Sequence, residues 1–180
     1  MYLSQVILKV HDSYDQHQLI WSLFPDVPDR KRDHLFRVEE SSPKICKVLL
    51  QSTTQPIGND KVQVLAVKSF IPRLAQDAYY KFKLLACPTK RNSQSKKLIE
   101  IENEDERVSW LQRKLVGANV TVTAMDNKLV SSSKAHNSRF VCYEGVLQVI
   151  DVEQMERALV MGIGRKKHAG AGLLSLARTK

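Results

Sequence analysis

The pattern of hydrophobic and polar positions divides the chain into short elements. Over Met1–Lys9, Tyr2, Val6, Ile7 and Leu8 supply β-favourable side chains, which predicts a strand. Tyr14–Phe24 reads as a helix that Pro25 and the Pro28 turn bring to a stop. His34–Glu40 and Ile45–Gln51 alternate at Phe36/Val38 and Val48/Leu50, the signature of a hairpin connected by Ser41-Ser42-Pro43-Lys44. A turn or short helix around Gln55–Asn59 leads into a strand over Lys61–Phe70, which Pro72 ends.

The same order then repeats. A strand over Ala78–Ala86, ending at Pro88, precedes the polar, basic loop Thr89–Lys97. Glu104–Leu115 predicts a helix: Val108, Leu111 and Leu115 share a face, and acidic residues fill its first turn, where the helix dipole favours them. Val120–Met125 and Arg139–Ile150 read as strands. Asp151 with Gln154 resembles a capping box that opens a helix over Val152–Met161, and Leu173–Ala177 closes the chain as a strand. The order β-α-β-β-α-β thus occurs twice, and it is the order of the ferredoxin-like, or RRM-like, unit. The expected fold class is α+β, with two such domains in tandem, 1–72 and 73–180.

A length of 180 residues, 43% of them hydrophobic, suits two small cores. No apolar run approaches the roughly 18 residues of a membrane span, and the opening lacks a secretory pattern, so a cytoplasmic location with no membrane partner is expected. Cys46, Cys87 and Cys142 are far apart without a CxxC pair, and no His-x-x-x-His spacing occurs. Neither a disulfide framework nor a metal or cofactor site is expected from them.

Charge changes the picture. The formal net charge is +9. Residues 1–72 hold nine basic and eight acidic residues, and residues 73–180 hold nineteen and eleven. Within the second part, 78–99 carries Lys81, Lys83, Lys90, Arg91, Lys96 and Lys97 without an acid, and the last sixteen residues carry Arg165, Lys166, Lys167, Arg178 and Lys180, again without one. Such blocks point to a polyanion, most simply nucleic acid, with a solubilising surface as the plainer alternative.

Three constellations carry possible chemistry. Gly162-Ile163-Gly164-Arg165-Lys166-Lys167-His168-Ala169-Gly170-Ala171-Gly172 is neither a dinucleotide fingerprint nor a Walker loop, since too few residues follow for a helix and no Gly-Lys-[Ser/Thr] ending is present. Gly162, Gly164, Gly170 and Gly172 suit close backbone approach to a phosphodiester, and equally a tight helix-to-strand turn. On the first helix, Leu19, Ile20 and Leu23 centre the apolar arc, with Tyr14, His17 and Trp21 on one shoulder. At about 100° per residue, Tyr14 and His17 lie roughly 60° apart, so a phenol and an imidazole project side by side. A boundary histidine satisfied by a neighbour is the simpler account of His17. Finally, Tyr79, Tyr80 and Phe82 alternate with Lys81 and Lys83, as base-stacking aromatics would, although strand alternation assigns one set to a core.

These segments resemble one family. The tail Gly162–Ala177, the opening Met-Tyr-Leu-Ser, Tyr14-x-x-His17-x-x-x-Trp21-x-Leu-Phe-Pro, Val48-Leu-Leu-Gln-Ser, Trp110-Leu-Gln-Arg-Lys-Leu and Val141-Cys-Tyr-Glu-Gly-Val-Leu are similar, at matching distances, to the CasE family of CRISPR repeat-processing endoribonucleases from the type I-E Cascade complex. The resemblance implies paired ferredoxin-like domains that bind the hairpin of a CRISPR repeat transcript. It further implies a metal-independent cut at the 3′ base of the stem by the RNA's own 2′-hydroxyl, leaving a 2′,3′-cyclic phosphate or 3′-phosphate and a 5′-hydroxyl. The product is then retained in Cascade beside other subunits, especially the crRNA backbone subunit. His17 matches the family's catalytic histidine, as general acid to the 5′-oxygen or base to the 2′-hydroxyl. Tyr14 matches the accompanying tyrosine and Lys167 a lysine of the glycine-rich loop. Phosphate contacts are expected from Lys90, Arg91, Lys96, Lys97, Arg165, Lys166 and Lys167, with Lys134 and Arg139 as further candidates in the loop Lys128–Arg139. Leu85-Ala86-Cys87-Pro88 stands where members often carry Arg-Ala-Asn-Pro. A non-cutting hairpin-binding module of the same fold, and a generic structural or ribosomal RNA-binding protein, are the competing functions.

Overall fold

The computed structural model describes residues 1–9, 13–42, 45–132 and 137–179. Two compact units emerge. One comprises Met1–Ile71 with Lys167–Gly170 and the described part of Val130–Asn137, and the other holds Pro72–Leu129, Ser138–Lys166 and Ala171–Lys180.

In the first unit, β1 (Tyr2–Leu8), β2 (His34–Ser41), β3 (Cys46–Ser52) and β4 (Val62–Ser69) form an antiparallel sheet of order β2-β3-β1-β4, crossed by α1 (Ser13–Trp21). Alternation sends Val6, Leu8, Phe36, Val48, Leu50 and Val62 to one face, where Ile20, Leu23 and Phe24 cover them. Each of these side chains withdrawn from water contributes about 1.5–3 kcal/mol. The helix stops at Trp21 rather than Phe24. The Leu23 and Phe24 amides donate to Ile20 and Trp21 carbonyls, three residues back, tightening the last turn ahead of Pro25.

No helix occupies Gln55–Asn59. Pro56 and Gly58 disfavour one, and the backbone is fixed by other bonds. The Ile57 amide donates to Leu23 O at 2.8 Å, and Asn59 donates from Nδ2 to Ser22 Oγ at 2.9 Å. This stretch seals the end of α1 in place of the unit's second helix.

The second unit keeps all its elements. Its sheet has the order β10-β5-β9-β8, from β5 (Tyr79–Ala86), β8 (Ala118–Val130), β9 (Ser138–Val149) and β10 (Leu174–Arg178). Helices α2 (Glu104–Lys114) and α3 (Val152–Met161) cover one face through Trp110, Leu111, Met155 and Leu159. Capping is local and polar. Asn103 accepts the Glu106 amide and Asp151 accepts the Gln154 amide. The Thr89–Lys97 region is not all loop, because β6 (Thr89–Arg91) pairs with β7 (Leu98–Glu100) as a hairpin. Both sheets have the strand order of the ferredoxin-like unit, and the fold class is α+β with two such domains. Among the described residues, no helix is long and apolar enough to cross a membrane.

Candidate active site

His17 lies on the half-buried shoulder of α1, because Gln16, Ile20 and Leu23 take the buried face. Two donors converge on its Nε2. Trp21 donates its indole N–H at 2.9 Å, and Arg32, from the connection between α1 and β2, approaches with Nη2 at 2.9 Å. Indole and guanidinium groups donate and never accept, so Nε2 carries the lone pair and the ring proton is on Nδ1. The imidazole of His168 stands edge-on to that of His17, with centroids 6.1 Å apart.

What brings His168 there is a glycine. Lys167–Ala169 forms a single 3-10 turn that packs against α1 and β2. The next residue, Gly170, has φ +89°, and a Cβ on it would lie 3.1 Å from Cε2 of the buried Phe36 ring. Only glycine accepts both the backbone conformation and that approach. The turn, with Lys167 and His168, is thereby set against the catalytic-helix candidate within one unit.

The electrostatics follow from this crowding of donors. Burial first, then the charges of Arg32 and His168, hold the His17 pKa below its usual 6.5, so the neutral ring is favoured at pH 7. Burial and Arg32 likewise lower Lys167. Behind Trp21 lies His34, 4% exposed, edge-on to the indole at 5.0 Å and stacked on Phe24 at 5.1 Å. Burial, with Arg32 adding to it, pushes the His34 pKa down to about 4. Its contact with Asp33 at 3.7 Å is therefore no ion pair near neutrality. Asp33 itself is held to about 2: burial works against this, but hydrogen bonds from Thr53, Thr54 and Arg30, with the Arg30 charge, outweigh it.

Tyr14, three residues before His17 on α1, is half-buried and its hydroxyl accepts a bond from Gln18 Nε2 at 3.2 Å. The other expected residues are in the second unit, apart from Lys167, Gly170 and Lys134, which lies outside the described residues. Several of their charges are already matched. Lys90 pairs with Glu106, Arg139 with Glu102 at 2.8 Å, and Lys166 donates to Ser138 Oγ and lies 3.9 Å from Glu100. Within the acid-free block 78–99, Lys83 is likewise matched, by Glu144 at 2.9 Å. Arg91 bonds the Lys96 carbonyl at 3.0 Å, and Lys96 and Lys97 are exposed near the tip of the β6–β7 hairpin. Arg165 is exposed as well.

The glycines serve the turn more than a phosphate cradle. Gly162, Gly164, Gly170 and Gly172 all have positive φ. The amides of Gly162, Gly170 and Gly172 donate to the carbonyls of Ala158, Lys167 and Leu85. Three of the four N–H groups are therefore spent within the protein. Tyr80 and Phe82 are 5% and 4% exposed and are the set that strand alternation assigns to a core; Tyr79, 52% exposed, is on the other face with Lys81. Among the described residues, no group of three His, Cys, Asp or Glu side chains is arranged to hold a metal ion.

Arg32, His168 and His34 were not among the expected residues. The run Arg30-Lys31-Arg32 was a visible cue, masked by Asp29 and Asp33 in a half of balanced charge. The meeting of His17 with His168 had no local cue, since 151 positions of chain separate them.

Comparison with known proteins adds to this geometry. A family model described as "CRISPR associated protein" matches residues 1–178. The chain is 34% identical to the Cascade subunit CasE of Escherichia coli strain K12, covering 98% of this chain and 99% of that one. Its fold is similar to the crystal structure of the CRISPR-associated protein Cas6e from Escherichia coli K-12, with TM-score 0.82 at 34% identity over 98% of this chain and 99% of that one. It is also similar to the CRISPR endoribonuclease Cse3 bound to a 19-nucleotide RNA, with TM-score 0.82 at 25% identity over 98% and 100% of the two chains.

Proposed function

The chain belongs to the CasE family of CRISPR-associated proteins, and from that premise we propose that it is an endoribonuclease that cuts CRISPR repeat hairpins in precursor transcripts and remains with its product as a Cascade subunit. The observation that carries this reading is the half-buried imidazole of His17, held by Trp21 and Arg32 and adjoined by Lys167 and His168. This is a proton-transfer group set among cations and donors, which suits a phosphodiester.

RNA supplies its own nucleophile. The 2′-oxygen bonds to phosphorus as the bond from phosphorus to the 5′-oxygen breaks, giving a 2′,3′-cyclic phosphate and a 5′-hydroxyl. One proton must leave the 2′-hydroxyl and one must reach the departing 5′-oxygen. His17 serves one of these transfers, a contribution of about 10²–10⁴ in rate. Lys167 and Arg32 stabilise the charge gathering on the phosphate oxygens, and Tyr14 orients the phosphate or the 2′-hydroxyl. Lys90, Arg91, Lys96, Lys97, Arg139, Arg165 and Lys166 hold the hairpin through its phosphates, those now paired with glutamates exchanging partners on binding. No step requires a metal ion, and the reaction takes place in the cytoplasm where the transcript is made.

A hairpin-binding module that does not cut is the second reading, favoured by the capping of His17 Nε2 by two donors. Incubation with repeat RNA in EDTA separates the two. The proposal predicts a single cut with a 5′-hydroxyl on the downstream fragment, abolished by a deoxyribose immediately 5′ of the cut. A 5′-phosphate product, or undiminished cutting of the deoxy substrate, overturns it.

A further inference from the structure

Arg32 has an unusual situation for an arginine. Its guanidinium offers five N–H donors, and its hydrogen-bonding partner among the described residues is the lone pair of a neutral imidazole, His17 Nε2. No carboxylate lies within ion-pair distance of it among those residues. The one nearest in sequence, Asp33, is occupied by Thr53, Thr54 and Arg30 at 2.5–2.8 Å. Asp33 also accepts the Thr54 amide, and its own carbonyl accepts the Thr53 amide, so the backbone beside Arg32 is anchored to the end of β3. The chain is fixed on one side of Arg32 while its side chain is left facing His17 and Lys167. An arginine so placed has a stronger partner to find, because a phosphate accepts two parallel charge-assisted bonds where the imidazole accepts one.

Resting on the endoribonuclease reading, we infer that Arg32 is a catalytic residue with two stations: it locks Nε2 of His17 in the free protein and passes to the scissile phosphate when RNA binds. Proton transfer at His17 is thereby coupled to the presence of substrate. With the guanidinium on Nε2, that nitrogen cannot take up a proton. Once the guanidinium moves to phosphate, the cation is neutralised and the proton affinity of the ring rises. Trp21 contributes only a neutral donor to the same nitrogen, so the charged part of the lock is the part a phosphate can remove. The other titratable groups around His17 are His168 on the 3-10 turn, Lys167 beside it and His34 behind Trp21. All three are cationic when protonated and none reverses the effect of Arg32.

The test uses the full chain as Arg32→Gln, Arg32→Lys and, as a control, His168→Gln. In the free proteins, an NMR pH titration of the His17 ring is expected to move to higher pH in Arg32→Gln, and to stay near the parent in Arg32→Lys, which keeps the charge. On repeat RNA under single turnover, Arg32→Gln is expected to cut about ten- to hundred-fold more slowly, the loss of one charge-assisted contact, with Arg32→Lys recovering part of the rate. Whether His17 acts as acid or base, the limb of the pH–rate profile that it governs shifts upward in Arg32→Gln. An unchanged His17 titration in folded Arg32→Gln overturns the inference. If the parent does not cut repeat RNA, the endoribonuclease reading fails instead, while the free-protein titration still decides whether the lock exists.

Discussion

The indole N–H of Trp21 donates to Nε2 of His17 over 2.9 Å, one helical turn away, and so assigns the ring proton to Nδ1. The same indole is edge-on to His34, with Arg30 positioned 5.6 Å from its centroid. Trp21 thus links the imidazole on the surface of α1 to the one beneath it. A Trp21→Phe variant keeps an aromatic ring and deletes the donor. We expect it to lose about 0.5–1.5 kcal/mol of stability while the His17 proton stays on Nδ1, because Arg32 still donates to Nε2. Urea denaturation and the ring nitrogen shifts of His17 check this, and a mixture of tautomers would be against it.

His34 gives the protein a dependence on mild acid. Its two ring nitrogens are buried without a hydrogen-bond partner. The fold lowers its pKa from 6.5 to about 4, so between these values the unfolded chain binds a proton that the folded one does not. This contribution is fully present above pH 6.5 and is lost as the pH falls toward 4. Replacing His34 with Phe removes the titrating group and two unsatisfied atoms. The variant is expected to match or exceed the parent in thermal stability at pH 5 and to show a flatter profile from pH 7 to 5.

Asp33 acts in a lower window. Because its folded pKa is depressed to about 2, its stabilising effect is present above 3.8 and disappears as the pH drops through 2. Asp33→Ala leaves Thr53, Thr54 and Arg30 without their acceptor and releases the backbone next to Arg32. A loss of about 1–3 kcal/mol is expected, together with slower RNA cleavage. Denaturation curves and cleavage rates taken on the same preparations test whether the two losses occur together.

Gly170 and Phe36 form a steric pair. Gly170→Ala introduces a Cβ 3.1 Å from the ring and a side chain at φ +89°, where an L-residue pays roughly 1–2 kcal/mol. Enlarging the space with Phe36→Leu relieves the contact and not the backbone strain. The double variant should therefore recover only part of the stability lost by Gly170→Ala beyond the cost of Phe36→Leu alone. Full recovery in a double-mutant cycle would show that the backbone conformation matters little.

Much of this architecture is legible from local pattern. Asp151 with Gln154 starts α3, the alternation of Phe36 and Val38 places β2, and the order of elements implies both sheets. Where the pattern misleads, a longer-range interaction has overruled it. Asn59 bonds across to Ser22, so the stretch before β4 needs no helix of its own. Leu98 and Ile99 pair with Arg91 and Lys90, and a basic loop becomes a hairpin. Spacing on one helix sets Tyr14 and His17 side by side, and the family resemblance is what singles them out. Arg32 and His168 are not found in this way, because their relation to His17 arises from the path of the α1–β2 connection and from the contact of Gly170 with Phe36. The basic block 78–99 suggested more open charge than exists, since Glu144 and Glu106 lie outside the block and pair across to Lys83 and Lys90.

The central claim is that the imidazole of His17 moves a proton while the rest of the molecule holds the RNA. Its most direct measurement compares the parent with His17→Ala on one repeat hairpin in EDTA, recording the single-turnover cleavage rate and, on a 2′-deoxy hairpin, the binding affinity. The predicted result is a rate lowered by about 10²–10⁴ with affinity nearly unchanged. Equal cutting by both proteins would contradict the account.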